Sequence, residues 1–314
     1  MRGFCDSLSS LLSPLSSLLS LMKYFFLFFA FLMFTTCQHE TRLPVAMAMC
    51  APITQNTPST LPLCHDPQTE FANFASDAEF RAMHPTPRMV EGNFSGTMVE
   101  FPVAGGAVGR AYSVKTPVTS SNRYLFLFHE WWGLNDVTKK EADMWAETLD
   151  INVLAIDLYD GKLATNPDEA GKLMQGNDAV RSLAIIEGAS QYTGKKTTIR
   201  TMGWCFGGGW SLQAALALKK KAKGCVMYYG MPEKEVAKLK KLKCDVIFIH
   251  AQKDKWINDE VVSEFEKNMK SAHKNLSIFR YDADHAFANP SSPRYNESSA
   301  KAAREVTRIY LSKR

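Results

Sequence analysis

The sequence predicts an α/β fold in which a mostly parallel sheet is covered by helices on both faces, with an antiparallel hairpin at its N-terminal edge. Three observations carry this. From about Gly96 onward, short and wholly apolar runs alternate with segments of helical periodicity, and strands buried on both faces read as continuous apolar runs joined by helical crossovers. Just ahead of them, Thr97–Phe101 and residues 110–114 bracket Gly105-Gly106, which is a hairpin pattern. The length also fits: 314 residues, 46% hydrophobic and 22% charged, hold one α/β domain of roughly 200–250 residues plus an N-terminal extension.

The buried-type strands fall at 124–128, 153–156, 199–203, 225–229, 246–249 and 276–281. Helical periodicity falls between and after them, at 137–149, 169–174, 179–192, 207–219, 233–242, 259–272 and 298–311. No internal repeat is apparent. The net charge of +5 is scattered, as in Lys219-Lys220-Lys221, without a basic tract interleaved with aromatics. Nucleic acid is therefore not an expected partner.

The N-terminal region is different in kind. Residues 24–34 are unbroken apolar sequence, preceded by Met22-Lys23 and followed by Thr35-Thr36-Cys37. A run of about eleven residues matches the apolar centre of a secretory signal and is short of the ~20 needed to span a bilayer. Residues 1–37 are expected to be a targeting segment, with Met22 as an alternative start. Phe34-Thr35-Thr36-Cys37 is similar to a bacterial lipobox, although Phe34 and Thr36 depart from its usual aliphatic and small residues. The expectation is an exported protein, periplasmic or held at a membrane through an acylated Cys37. Residues 38–93 read as a Pro-rich linker and a short extension with one helix, over 72–83; residues 94–314 read as the main domain. Cys50 and Cys64 either pair in an oxidising compartment or remain free thiols. Cys225 and Cys244 open apolar runs and read as small buried residues. No cysteine spacing matches a zinc ligand set, and neither a metal nor a cofactor is expected.

The chemistry concentrates in Gly203-Trp204-Cys205-Phe206-Gly207-Gly208-Gly209, where an apolar strand enters a Gly-x-nucleophile-x-Gly turn and a helix follows. This is the nucleophile elbow of α/β-hydrolases with Cys in place of Ser. The nucleophile needs a strained backbone, and flanking side chains would collide with the neighbouring strand and helix. The turn also sets Cys205 at a helix N-terminus, where the dipole favours thiolate. A phosphate-binding loop would want Lys-Ser/Thr after the glycines; Trp210-Ser211 stands there.

An elbow requires an acid and then a histidine downstream. Asp254 follows the strand ending at His250, and His285 follows the strand through Tyr281. Both lie at strand C-terminal ends, where chemistry clusters in open α/β sheets. His285 takes the role of general base and acid, and Asp254 that of its orienting partner. Asp245 precedes its strand and lies at the wrong edge; Asp282 and Asp284 are too near His285 in sequence to orient it. His250 reads as a core or supporting residue and His273 as a solvated one. The first core strand ends in His129-Glu130-Trp131-Trp132-Gly133. The loop after that strand supplies one oxyanion-hole amide, so the backbone N–H groups of Trp131 and Phe206 are the candidates. The indoles line either an apolar pocket or the core.

Together with Asp157-Leu158-Tyr159 and His285-Ala286-Phe287, these segments resemble the dienelactone hydrolases (carboxymethylenebutenolidases), from about Met98 to the C-terminus. The resemblance implies a fourth catalytic residue, Glu130, which contacts the resting thiol and helps generate thiolate once substrate enters. It points to Trp132, Tyr159 and Asn289 as candidate substrate-binding positions. It also marks a departure: relatives that take dienelactone hold its carboxylate with two arginines and a tyrosine. Here Asn289 stands where one arginine would, and Pro167 and Gly171 stand at the other two positions; Lys162 is nearby. Without a bidentate clamp the basis for choosing a small carboxylate-bearing lactone is removed.

The expected function is hydrolysis of a small-molecule ester or lactone through an acyl-enzyme on Cys205, with the oligomeric state open. The rival readings are a general carboxylesterase or thioesterase on the same residues, an exported binding protein with a silent site, and a redox thiol protein pairing Cys205 with Cys225 or Cys244.

Overall fold

The computed structural model describes residues 66–84, 86–87, 92–106, 108–118 and 121–313. The segment 1–37 expected to be a targeting segment, with its Cys37, and also Cys50 and Cys64 lie outside the described residues.

Eight strands form one sheet in the order β1-β2-β4-β3-β5-β6-β7-β8. β1 (Thr97–Phe101) and β2 (Gly109–Val114) are the expected hairpin, and β2 runs antiparallel to β4 (Asn152–Asp157). From β4 onward every pairing is parallel, through β3 (Arg123–Phe128), β5 (Thr198–Trp204), β6 (Ala222–Tyr228), β7 (Val246–Ala251) and β8 (Leu276–Tyr281). The central strands are apolar on both faces because helices cover both: every residue of β4 and β7 is buried. The covering helices are α3 (Asp136–Leu149), α4 (Pro167–Gln175), α5 (Ala179–Tyr192), α6 (Phe206–Leu218), α7 (Val236–Leu239), α8 (Asp259–Ser271) and α9 (Glu297–Ser312). Asn135, Asn166, Asp178, Asn258 and Asn296 each start a helix by accepting a hydrogen bond from a backbone N–H of its first turn.

Two elements differ from the sequence expectation. The helix expected over 233–242 is only the single turn of α7, because the Glu233 carboxylate accepts from the Glu235 amide and holds the preceding residues in a turn. The helix expected over 72–83 is two: α1 (Pro67–Asn73), a 3-10 turn over Phe74–Ser76, and α2 (Ala78–Ala82). Asp77 breaks it. Its backbone is extended and its carboxylate caps α2 through the Glu79 amide.

These two short helices are packed onto the domain. Phe71 and Phe80 are fully buried, and Phe80 meets Trp131 and Trp256 edge-on at 5.2 and 5.0 Å. Trp256 Nε1 donates to Asp77 at 3.1 Å, and Lys234 pairs with Glu70 at 2.5 Å. The extension thus lies over the C-terminal ends of the strands, where Trp131 and Trp256 sit.

The glycines around β5 and α6 set how closely strand and helix approach. A Cβ on Gly203 would lie 2.1 Å from the Gly207 carbonyl oxygen, and one on Gly207 would lie 2.2 Å from the Phe128 oxygen. Both obstacles are backbone, so neither can rotate away. Gly203→Ala is expected to cost at least about 1–3 kcal/mol, measured as a lower urea midpoint at unchanged m-value.

Candidate active site

Cys205 occupies the turn between β5 and α6 with φ 56° and ψ −122°, a conformation unfavourable for a side chain-bearing residue. Hydrogen bonds hold it there: its N–H donates to the Tyr228 carbonyl at 3.0 Å and its carbonyl accepts from Gly208 at 2.9 Å. The thiol is fully buried at the N-terminus of α6, and the Phe206 amide donates to it. Burial pushes its pKa up; His285 and the Phe206 amide pull against that.

His285, from the loop after β8, faces the sulfur. A ring nitrogen of His285, one of His84 and the Cys205 Sγ all lie within 4.8 Å of one another. On its other side, His285 Nδ1 donates to Asp254 Oδ2 at 2.5 Å. Asp254, just past β7, has its second oxygen filled by the amides of Trp256 and Ile257 at 2.9 and 3.0 Å. Burial raises the Asp254 carboxyl, but His285 and the two amides outweigh it and the pKa falls below the ordinary value. For His285, burial works against the cation; the Asp254 charge, the thiol and the short hydrogen bond lift its pKa well above the ordinary value. The imidazole has its tautomer fixed by Asp254, leaving Nε2 to face the sulfur.

The exit of β3 supplies the opposite wall. His129 is buried and neutral, with burial lowering its pKa. Its Nδ1 donates to the Glu130 carbonyl at 2.6 Å and its Nε2 accepts from the Leu158 amide at 3.2 Å. That bridge ties the β3 turn to the β4 exit and presents Glu130. Glu130 Oε2 accepts from Asn289 Nδ2 at 2.6 Å, while Oε1 has no partner among the described residues. Burial raises its pKa to about 7, with Asn289 partly offsetting the effect. Asn289, read from sequence as a substrate contact, is engaged at both ends: its Oδ1 accepts from the Ser291 amide and hydroxyl. The structure makes it the holder of Glu130. The two residues line a cleft together with Trp204, Asn135 and Glu141.

Trp131 and Trp132 are buried and pack edge-on at 5.2 Å. Trp131 also meets His84 at 4.9 Å, so its turn adjoins the thiol. Tyr159 packs on Phe206 at 5.4 Å, its hydroxyl unpartnered among the described residues and its pKa raised by burial and by Cys205. Lys162 is exposed. His250 is buried with Nε2 on Asp259 at 2.9 Å, and His273 is exposed. Cys205 and Cys225 are free thiols.

Two residues at the site were missed from sequence. Tyr229 (φ 37°) puts its ring 4.9 Å from His285; its place at the C-terminal end of an apolar run was the available signal. His84 comes from the extension. Its ring lies 5.1 Å from His285, and burial with His285 nearby lowers its pKa to about 3, so it is neutral. Nothing in its local sequence marks it, because only packing of α1 and α2 brings it to the sulfur.

An eight-stranded, mostly parallel sheet with a buried thiol at a positive-φ strand–helix turn, faced by a histidine on a carboxylate, defines an α/β-hydrolase. The fold comparison agrees: a solved Klebsiella pneumoniae protein assigned to the dienelactone hydrolases superposes with a TM-score of 0.60 at 19% identity, over 70% of this chain and 99% of that one. The model of the dienelactone hydrolase family matches residues 110–313, and the chain belongs to that family. An Aquifex aeolicus protein assigned as a carboxymethylenebutenolidase is 30% identical over 62% of this chain and 87% of its own length. Carboxymethylenebutenolidase 1 of Cupriavidus pinatubonensis is 24% identical over 65% of this chain and 91% of its own. The chain is accordingly a hydrolase acting on lactones or esters.

The Glu130 carboxyl gives a stability test. Its pKa is about 7 in the folded protein against an ordinary 4.5, so the folded state binds the proton more tightly. Its contribution is fully present below pH 4.5 and is lost as pH rises through 7, a change of about 3 kcal/mol. Urea unfolding across this range should show wild type losing about that much relative to Glu130→Gln. Parallel pH profiles for the two proteins would refute the assignment.

Proposed function

We propose that this chain hydrolyses its ester or lactone through a thioester on Cys205, with His285 as proton carrier, Asp254 as its orienting partner and Glu130 as an auxiliary base. The observation carrying this reading is the Cys205 turn itself: a strained thiol at a helix N-terminus, opposite an imidazole whose other nitrogen is held 2.5 Å from a carboxylate.

The Sγ proton passes to His285 Nε2, or to the Glu130 carboxylate, and the thiolate attacks the carbonyl carbon. The carbonyl oxygen takes the negative charge and lies on the amides of Phe206 and Trp131. The C–O bond breaks, and the leaving alkoxide takes the proton back from the group that accepted it, the imidazolium or the Glu130 carboxyl; in a lactone it stays tethered. Water then attacks the thioester and gives a proton to Nε2, and the thiolate departs and is reprotonated. Asp254 stabilises the imidazolium in both halves.

The substrate class extends beyond carboxylate-bearing lactones. Asn289 stands in place of a cation and is committed to Glu130, which favours neutral esters and lactones, and leaves linear carboxylic esters or thioesters as the second reading. We further propose export, supported by the apolar run at 24–34 after Met22-Lys23, with acylation at Cys37 as the route to a membrane.

Cys205→Ala is expected to lower turnover of chromogenic acetate esters and small lactones at least a thousandfold. Equal turnover by both proteins would point to a silent site. Asp254→Asn should reduce kcat by about 10⁴, since it disturbs the tautomer rather than the fold; steady-state assays beside circular dichroism check this.

A further inference from the structure

His84 brings a second imidazole to the nucleophile, and its hydrogen bonding fixes which atom it offers. Its Nδ1 lies 2.7 Å from the Phe80 carbonyl oxygen. A carbonyl only accepts, so Nδ1 carries the proton and Nε2 carries the lone pair. His285 is arranged alike, with Nδ1 donating to Asp254. His84 Nε2 has no hydrogen-bond partner among the described residues, His285 Nε2 faces the Cys205 thiol, and both side chains are buried, at 5% and 1% exposed. The Cys205 sulfur completes a triangle whose corners are within 4.8 Å of one another.

Two buried imidazole nitrogens and a thiol converging on one point form a ligand set for a borderline-soft cation. The outer contacts match as well: ligating histidines characteristically donate their other N–H to a backbone carbonyl or a carboxylate. Here one donates to Phe80 and the other to Asp254. Tetrahedral zinc with bonds of about 2.0–2.3 Å sets its ligand atoms about 3.3–3.6 Å apart. Closing the triangle therefore needs a contraction of about 1 Å, within side-chain adjustment.

We propose that His84, Cys205 and His285 form a three-ligand zinc site, and that zinc bound there switches the hydrolase off. The ion displaces the proton from Sγ, and from His285 Nε2 where it is protonated, releasing them to solvent. Sulfur and both nitrogens donate their pairs to the metal, with no change of oxidation state. The nucleophile and its proton carrier are then both occupied. His84 comes from the extension ahead of residues 110–313 that the family model matches, so the third ligand is a property of the extension.

The test uses the full chain and two metals. Competition with a chromogenic chelator should show one equivalent of Zn²⁺ bound to wild type. Co²⁺ should give a thiolate-to-metal charge-transfer band that is absent in Cys205→Ala. His84→Ala and the ring-preserving His84→Phe, each checked for folding by circular dichroism, should weaken zinc binding at least tenfold. Zinc should abolish Cys205-dependent ester turnover in wild type, and the chelator should restore it. Zinc affinity unchanged in both His84 variants, or the lack of a cobalt–thiolate band, would overturn the proposal. The binding readouts need no turnover, so a failed ester assay would count against the acyl-enzyme reading and leave the metal site standing.

Discussion

The positive φ at Cys205 is the constraint on which the rest of the molecule is arranged. A side chain-bearing residue adopts that conformation only when its surroundings over-determine it. Here the surroundings are backbone: the Tyr228 carbonyl receives the Cys205 amide, and Gly203 and Gly207 approach each other too closely for any side chain. The same crowding draws β3, β5 and α6 together, which is why the β3 exit, with Glu130 and Trp131, ends beside the sulfur. The strain has company. Tyr229 and Ala286 also have positive φ, and each flanks the imidazole from a different strand end.

A second theme is polar atoms buried without partners. Glu130 Oε1, the Tyr159 hydroxyl, Trp131 Nε1 and His84 Nε2 lack hydrogen bonds among the described residues. Four such groups near one thiol would be costly in an ordinary core. They are what a site looks like when a polar ligand supplies the missing contacts. The supporting layer is by contrast well satisfied: His129 uses both nitrogens, Asp254 both oxygens, and Asn289 both ends of its amide.

Much of this was legible in the sequence because it follows from local rules. The apolar runs gave each strand to within a few residues, since strands buried on both faces have no polar alternation to obscure them. Cys205, Asp254 and His285 could be placed because glycine spacing and strand ends are one-dimensional signals, and Glu130 came through the family resemblance. What could not be read depended on tertiary packing. The bond from the Asn289 amide to Glu130 joins residues far apart in sequence. Asp77 split a helix by capping its own successor. His84 carries no mark at all, because its position is decided by Phe71 and Phe80 finding their places among distant aromatic rings.

That last arrangement bears on where the molecule ends as a physical object. The unit shared with relatives begins near the hairpin, but Trp131, Trp256 and His285 are shielded by rings that arrive from upstream of it. A fragment cut at the shared boundary would keep every residue of the chemistry and lose its roof. Water would then reach the imidazole and the indoles directly. The smallest piece that behaves as the whole is set by this aromatic roof, rather than by the length of the common sequence.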